Sequence, residues 1–292
     1  MRLCHWQEIV LDVFVFFGDR AAYRDFEFNF ASAALGEELF DESGEQVSVD
    51  PVMVWTITLS GGGNSLQSGP TVTGPKDHHQ ETFSLHEFEG EVTARATVEA
   101  YLVGPDRREL YASGEDAVTF EVRRCPYDVE INFEGEFQDG PWTRQESATM
   151  APVRIEASPG GEYSGEGQLQ IVGNQQGTMG GGECHTTAPW TGSIDVSITG
   201  DINPESGELT LEFDFASGQV GGAQMTCSAE GVSMTTGAAG GPVDTGAWPL
   251  ANLNVPVAGG TESFSVGQGL SGAPGSGQLN VIIEPVEEEA TS

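Results

Sequence analysis

The residues with the clearest capacity for chemistry are oxygen donors in one short stretch of the chain. Positions 1, 3, 5 and 12 of a twelve-residue segment are occupied by Asp201, Asn203, Glu205 and Glu212. This is the ligand spacing of an EF-hand calcium loop. Two features depart from that loop: Gly207 stands one position late, and the flanking segments have the pattern of strands where an EF-hand has helices. We favour the alternative, a hairpin turn that uses Asp, Asn, Pro and Gly for their backbone preferences. The sequence thus predicts no cofactor, with calcium at this segment as the alternative.

Three tryptophans stand in turn-like sequences, and they are the second candidate for chemistry. Trp142 follows Asp-Gly-Pro, Trp190 follows Thr-Ala-Pro and Trp248 precedes a proline. An exposed indole can stack on the apolar face of a sugar ring while nearby polar groups bind its hydroxyls. The alternative is that each ring plugs one end of a β-domain, and this alternative is favoured.

Catalytic signatures do not occur in this sequence. It contains no nucleophile elbow, no zinc-protease helix motif and no phosphate-binding loop. The 45 acidic residues offer many carboxylate pairs of the kind used in glycoside hydrolysis, but the sequence does not say which two lie at catalytic separation. A protein without catalysis is therefore favoured, with a glycosidase-like site in the second half of the chain as the alternative.

The four cysteines are an even number, and none has the C-x-x-C spacing of a zinc or redox motif. Four cysteines allow three connectivities, and the preferred pair is Cys184 with Cys227, because both flank one predicted hairpin. That choice leaves Cys4 and Cys125. Disulfides indicate an oxidising compartment, whereas four reduced thiols in a cytosolic chain are the alternative.

The elements that would position these residues are predicted from hydrophobic alternation. From Trp190 to Cys227, apolar residues alternate with polar ones over 194–198 and again over 209–215, with a Pro- and Gly-containing turn between. This pattern predicts a β-hairpin with one apolar and one solvated face. A lone hairpin is marginally stable in water, so the flanking glycine-rich segments must supply further strands. An antiparallel sandwich or barrel follows.

The first part of the chain has short alternating segments of the same kind around Trp55, over 92–100 and over 118–122. The long strand EVTARATVEAYLV, closed by SGEDAVTFEV, resembles the Ig-like or PKD-like modules of bacterial surface proteins over residues 49–124. The resemblance implies a β-sandwich that serves as an extracellular spacer or adhesion module. It carries over no catalytic residue. The segment departs from true Ig domains because no cysteine pair brackets Trp55.

Domain boundaries are predicted from the end of a strand, a following proline and a change in composition. A strand ends at Arg124 and a proline follows Cys125, so we expect an Ig-like sandwich over 1–125 and a glycine-rich antiparallel sandwich or barrel of about nine short strands over 126–285. Residues 286–292 form an acidic tail that we expect to be disordered.

The charge balance restricts the partners. With 45 acidic and 11 basic residues the formal charge is −34, which repels nucleic-acid phosphates and anionic lipid surfaces. Adaptation to a saline medium is an alternative explanation of the acidity. No apolar run long enough for membrane insertion and no secretory signal is visible in this sequence.

Together these features favour an all-β, secreted or cell-surface protein without catalysis. It would act in adhesion, in binding a glycan or protein ligand, or as a spacer. A structural subunit of a virion or surface layer is a further alternative. The oligomeric state stays open.

Overall fold

The computed structural model describes residues 2–16, 27–31, 39–40, 46–47, 52–73, 78–103, 108–203 and 206–286. Every regular element in these residues is a β-strand, and most paired strands are antiparallel. The prediction of an all-β chain with antiparallel sheets is therefore confirmed. The chain divides into two compact units, Met1–Arg124 and Cys125–Glu289.

The described part of the first unit contains ten strands: β1 (Arg2–Cys4), β2 (Glu8–Phe16), β3 (Glu27–Ala31), β4 (Leu39–Phe40), β5 (Gln46–Val47), β6 (Val52–Gly61), β7 (Asn64–Thr73), β8 (His78–Ser84), β9 (Gly90–Val103) and β10 (Arg108–Arg123). One sheet has the order β1-β10-β9-β6-β7, a second has the order β3-β2-β8, and β4 pairs with β5. Two pairs, β1 with β10 and β2 with β3, are parallel, which the sequence analysis does not predict.

The two larger sheets of the first unit share one apolar core. Alternate residues of β6, among them Trp55 and Ile57, point to the same face because side chains in a strand alternate. They are buried in one cluster with Leu11 of β2 from the other sheet. The indole nitrogen of Trp55 donates a hydrogen bond to the Thr73 hydroxyl at 2.9 Å, so its polar atom is satisfied within the core.

The second unit contains eleven strands among its described residues: β11 (Tyr127–Asp139), β12 (Trp142–Ala157), β13 (Tyr163–Met179), β14 (Gly182–Ala188), β15 (Trp190–Ile202), β16 (Glu208–Phe215), β17 (Ala223–Ala229), β18 (Val232–Ala238), β19 (Leu253–Pro256), β20 (Gly260–Gln268) and β21 (Pro274–Pro285). The sequence predicts about nine short strands, whereas the described residues form eleven, and two of them, β12 and β13, are long, with 16 and 17 residues.

All eleven strands belong to one branched sheet. From one edge the order is β20-β21-β11-β12-β13, and β13 then pairs with two strands on its other side. One branch continues as β14-β17-β18, and the other continues as β15-β16-β19. β13 is therefore the strand at which the sheet divides.

The core of the second unit lies on one face of this sheet. In β11, Tyr127, Val129, Ile131 and Phe133 are fully buried and alternate with less buried polar residues. A single sheet can bury one face this completely only by curling around it, and the end strands β19 and β20 do contact each other. Each such side chain contributes about 1.5–3 kcal/mol relative to its exposed state.

The hairpin predicted at the centre of the chain is present. β15 and β16 pair antiparallel from Val196 opposite Phe215 to Ile202 opposite Leu209. The turn between them ends at Gly207, whose φ of 67° lies in the left-handed region that glycine adopts without penalty.

Candidate ligand-binding site

A fork in the sheet of the second unit creates a concave polar surface. Along the same side, β13 pairs with β15 up to Gly173 and with β14 from Gln176 onward. Asn174 and Gln175 lie between the two ladders, where neither strand continues. The backbone of β13 therefore needs another partner at this point.

A threonine side chain supplies that partner. The backbone N–H of Gln175 donates to the hydroxyl of Thr186 at 2.7 Å, and the same hydroxyl donates to the carbonyl of Gln175 at 2.9 Å. Thr186 thereby replaces the two ladder hydrogen bonds that a neighbouring strand would make. The fork stays open without leaving these two backbone groups unsatisfied.

The β15 side of the fork is closed by an aromatic ring. Trp190, the first residue of β15, pairs with Gly173, and a Cβ at Gly173 would overlap the indole ring. The ring therefore lies directly over the glycine backbone. The guanidinium of Arg144 lies 5.8 Å from the ring centroid, within the range of a cation–π interaction.

The solvent-facing side of the fork is a groove of about 150 Å³, lined by Thr143, Gln145, Asn174, Gln175, Gln176, His185 and Thr186. Strand register explains the convergence: Thr143, Gln176 and His185 are directly opposed on β12, β13 and β14. A groove of this volume holds several waters or one ring-sized polar group, and it is too small for an extended chain.

The groove side chains have free hydrogen-bonding capacity. Within the described residues, the side chains of Gln145, Asn174, Gln176 and His185 form no hydrogen bond to protein, and all four are exposed. Elsewhere on β13 the comparable amide Gln168 donates to Asp195. An amide carries both donors and an acceptor, so the groove can bind a ligand with alternating hydroxyl donors and acceptors.

The groove contains no carboxylate, although acidic residues outnumber basic ones four to one in the chain. None of its lining side chains is an Asp, Glu, Lys or Arg. A neutral ligand avoids the repulsion that an anion would meet on approaching a protein of charge −34. The chemistry of the groove therefore fits a neutral, hydroxyl-rich molecule.

Two of the three tryptophans considered as stacking platforms are buried. Trp190 and Trp248 are 8% and 7% exposed. The ring of Trp248 lies 5.2 Å from that of Phe133 and 5.5 Å from that of Phe215. This burial favours the packing alternative for both, because a stacking ligand needs an exposed ring face.

The cysteines are oxidised. Cys184 and Cys227 form a disulfide between directly opposed residues of β14 and β17, which is the pair preferred from the sequence. Half-buried Trp142 packs against this disulfide. Cys4 and Cys125 are also disulfide-bonded, and no cysteine is free. Disulfides of this kind persist in oxidising environments.

The segment with the ligand spacing of a calcium loop, for which the sequence favours a hairpin turn, makes turn-type hydrogen bonds in its described residues. The carboxylate of Asp201 accepts a hydrogen bond from the N–H of Ile202 at 2.8 Å, and the side-chain oxygen of Asn203 accepts from the N–H of Ser206 at 3.3 Å. Glu212 is exposed on β16. Glu205 lies outside the described residues, as do residues 287–292 of the predicted acidic tail. In the described part of the chain, no group of three or more His, Cys, Asp or Glu residues could hold a metal ion.

One carboxylate that sequence analysis missed is buried in the second unit. Glu146 is 3% exposed, and its two oxygens accept hydrogen bonds from the N–H of Leu270 at 2.6 Å and from the hydroxyl of Ser271. Both oxygens are thus used to hold the loop between β20 and β21. The arrangement stabilises a loop, whose Leu270 carbonyl also accepts a hydrogen bond from the backbone N–H of Asp244 at 2.8 Å.

The groove amides were also missed. Their signal in the sequence is the run Gln168, Gln170, Asn174 and Gln176, which repeats amides at even positions on one face of β13. Comparison with protein-family models, curated proteins and solved structures finds no match to this chain. No helix among the described residues is long and apolar enough to cross a membrane.

Proposed function

We propose that this protein is a non-catalytic, secreted or cell-surface binding module whose groove takes a neutral, hydroxyl-rich ligand such as one sugar unit of a glycan. The observation that carries the proposal is the convergence of unpaired amide and imidazole groups at the fork of β13. Hydrogen-bond donors and acceptors at fixed spacing are what distinguish one hydroxyl pattern from another.

Two further observations support an extracellular setting. All four cysteines are in disulfides, which persist in secreted proteins and are rare in the cytosol. The charge of −34 keeps such a chain soluble and discourages nonspecific contact with other acidic surfaces. The Ig-like resemblance of residues 49–124 fits a first unit that acts as a spacer in adhesion.

The affinity of the groove is expected to be modest. A hydrogen bond to a neutral group contributes about 0.5–1.5 kcal/mol net, since each ligand hydroxyl gives up water to make it. Four such side chains in a small groove therefore give weak binding of one sugar unit. Useful adhesion would come from several copies acting together.

The test is ligand-detected NMR with a panel of neutral monosaccharides, followed by titration of any that bind. Gln176→Ala and Gln145→Ala are each expected to raise the Kd about 2- to 12-fold, which corresponds to the loss of one neutral hydrogen bond. Gln170→Ala is the matched control, because Gln170 lies on the same face of β13 but donates to Gln168 and is not part of the groove.

Two results would contradict the proposal. One is the absence of binding by every neutral saccharide at millimolar concentration. The other is binding that Gln170→Ala weakens as much as Gln176→Ala does, since the ligand would then lie elsewhere on the sheet.

A further inference from the structure

A continuous row of side chains crosses the β14-β17-β18 branch on the face opposite to the groove. Register places five residues side by side on consecutive strands from β12 to β18: Trp142, Gly177, Cys184, Cys227 and Met234. The neighbouring row contains Met179 of β13 and Val232 of β18. We call these two rows the apolar strip.

The apolar strip is open to solvent at its outer end. Among the described residues, five large hydrophobic side chains are exposed, and three of them are in the strip: Met179 at 48%, Val232 at 70% and Met234 at 58%. Three such residues on one face of a sheet mark a surface that a partner can cover.

The edge of β18 beside the strip has backbone groups available for pairing. Cys184 and Cys227 have their Cα atoms 4.0 Å apart, which is the short spacing of a pair without mutual backbone hydrogen bonds. The backbone groups of Cys227 therefore point toward β18 and bond Met234. By alternation, those of Ser233 and Thr235 point away from β17, along the free edge.

This edge lacks the features that protect other edges. Soluble β-proteins guard edge strands with prolines, charges, bulges or short length. Edge strand β7 carries Pro70 and pairs through a bulge, β19 has four residues, and β20 carries Glu262. β18 has seven residues, no proline, no charged residue and a regular register with β17.

The charge around the strip identifies the partner. β14, β17 and β18 have seven residues each and together contain one charged side chain, Glu183, in a chain in which about one residue in six is acidic. Two copies of a protein of charge −34 repel each other over most of their surfaces, and they can approach where charge is scarce. A two-fold axis would place the neutral, apolar patch of one copy beside the same patch of the other.

We propose that a second copy of this chain docks at β18, with the two β18 strands pairing antiparallel edge to edge, so that the two apolar strips lie side by side on one face of a continuous sheet. The pairing is isologous, so it closes at a dimer. It lies on a different face from the groove, and its failure would leave the proposed ligand binding untouched.

The test is sedimentation equilibrium of the full chain from about 1 to 200 μM. We expect a monomer–dimer equilibrium that strengthens as NaCl is raised from low to high ionic strength, because salt screens the repulsion between the two acidic chains. Met234→Glu is expected to weaken dimerisation at least ~10-fold, since it adds a like charge to each of the two paired strands. Thr235→Pro is expected to do the same by removing an edge N–H that β17 does not use.

The control is Val72→Glu, which adds the same charge at a 60% exposed valine on the protected edge strand β7. It should leave the dimer constant within about twofold of wild type after correction for the added charge. Unchanged circular dichroism of each variant shows that the fold is retained. A monomer at every concentration and salt level overturns the proposal, as does a dimer that Met234→Glu and Val72→Glu weaken equally.

Discussion

The position of Trp190 over Gly173 supports a quantitative prediction about the fork. Gly173→Ala places a methyl group in the volume of a ring that is 8% exposed and contacted by the guanidinium of Arg144. Overpacking of this kind costs about 1–3 kcal/mol, because either the ring or the β13 backbone must move. For a unit of this size that corresponds to a Tm lower by about 2–4 °C per kcal/mol.

The prediction is sharpest as a double-mutant cycle. Trp190→Ala alone is expected to cost about 3–5 kcal/mol from lost burial. Once the ring is absent, the three atoms nearest to the added methyl group are gone, so Gly173→Ala should cost much less. The expected coupling free energy is therefore about 1–3 kcal/mol. Urea unfolding followed by far-ultraviolet circular dichroism measures all four proteins.

The control substitution is Gly267→Ala in β20, where an added Cβ meets no atom within 4 Å. It is expected to be neutral or to stabilise by about 0.4–1 kcal/mol through the unfolded chain. If Gly173→Ala costs the same with and without Trp190, the ring is not what makes glycine necessary there, and the reasoning about the fork fails.

The remaining predictions concern two buried ionisable groups. Burial lowers the pKa of His5 from 6.5 to about 4, with the charges of Arg124 and His86 adding to the lowering and the carbonyl of Arg123 opposing it. Between pH 6.5 and 4 the unfolded chain binds a proton at His5 and the folded chain does not, so the free energy of unfolding falls as pH falls through this range. We expect it to decrease by about 2 kcal/mol between pH 7 and pH 5. His5→Gln should abolish this decrease when unfolding is measured as a function of pH. Glu146→Gln is expected to cost about 1–3 kcal/mol in urea unfolding, because one of the donors at Leu270 and Ser271 loses its acceptor, whereas the exposed Glu166→Gln should be neutral. Equal effects of the two Glu substitutions would show that the buried carboxylate does not hold its loop.

The parts of the fold that could be predicted are those encoded by local alternation. The β15–β16 hairpin follows from residues such as Val196 and Leu211, which place every second side chain in the core. The Cys184–Cys227 pair follows from the same reasoning, since the cysteines flank that hairpin. Patterns with a period of two residues are readable because the strand itself has that period.

The fork could not be predicted, because it depends on which strands share β13. Nothing local to Gln175 indicates that its ladder partner is the side chain of Thr186, eleven residues later. The burial of the tryptophan rings could not be predicted from the sequence either. A turn sequence before Trp190 places the residue at a strand end, but long-range packing against Gly173 decides that the ring is covered.

The pairing of β11 with β21 has a consequence for the time course of folding. These are the first and last strands of the second unit, and Tyr127 lies opposite Pro285. Ribosomes add about 5–20 residues per second, so β21 is synthesised roughly 7–30 s after β11. Until then β11 has no β21 to pair with, and the apolar face formed by β11 and β12 stays exposed in the nascent chain. Completion of this unit therefore waits for translation of its last strand, and a chain truncated before residue 274 should be aggregation-prone.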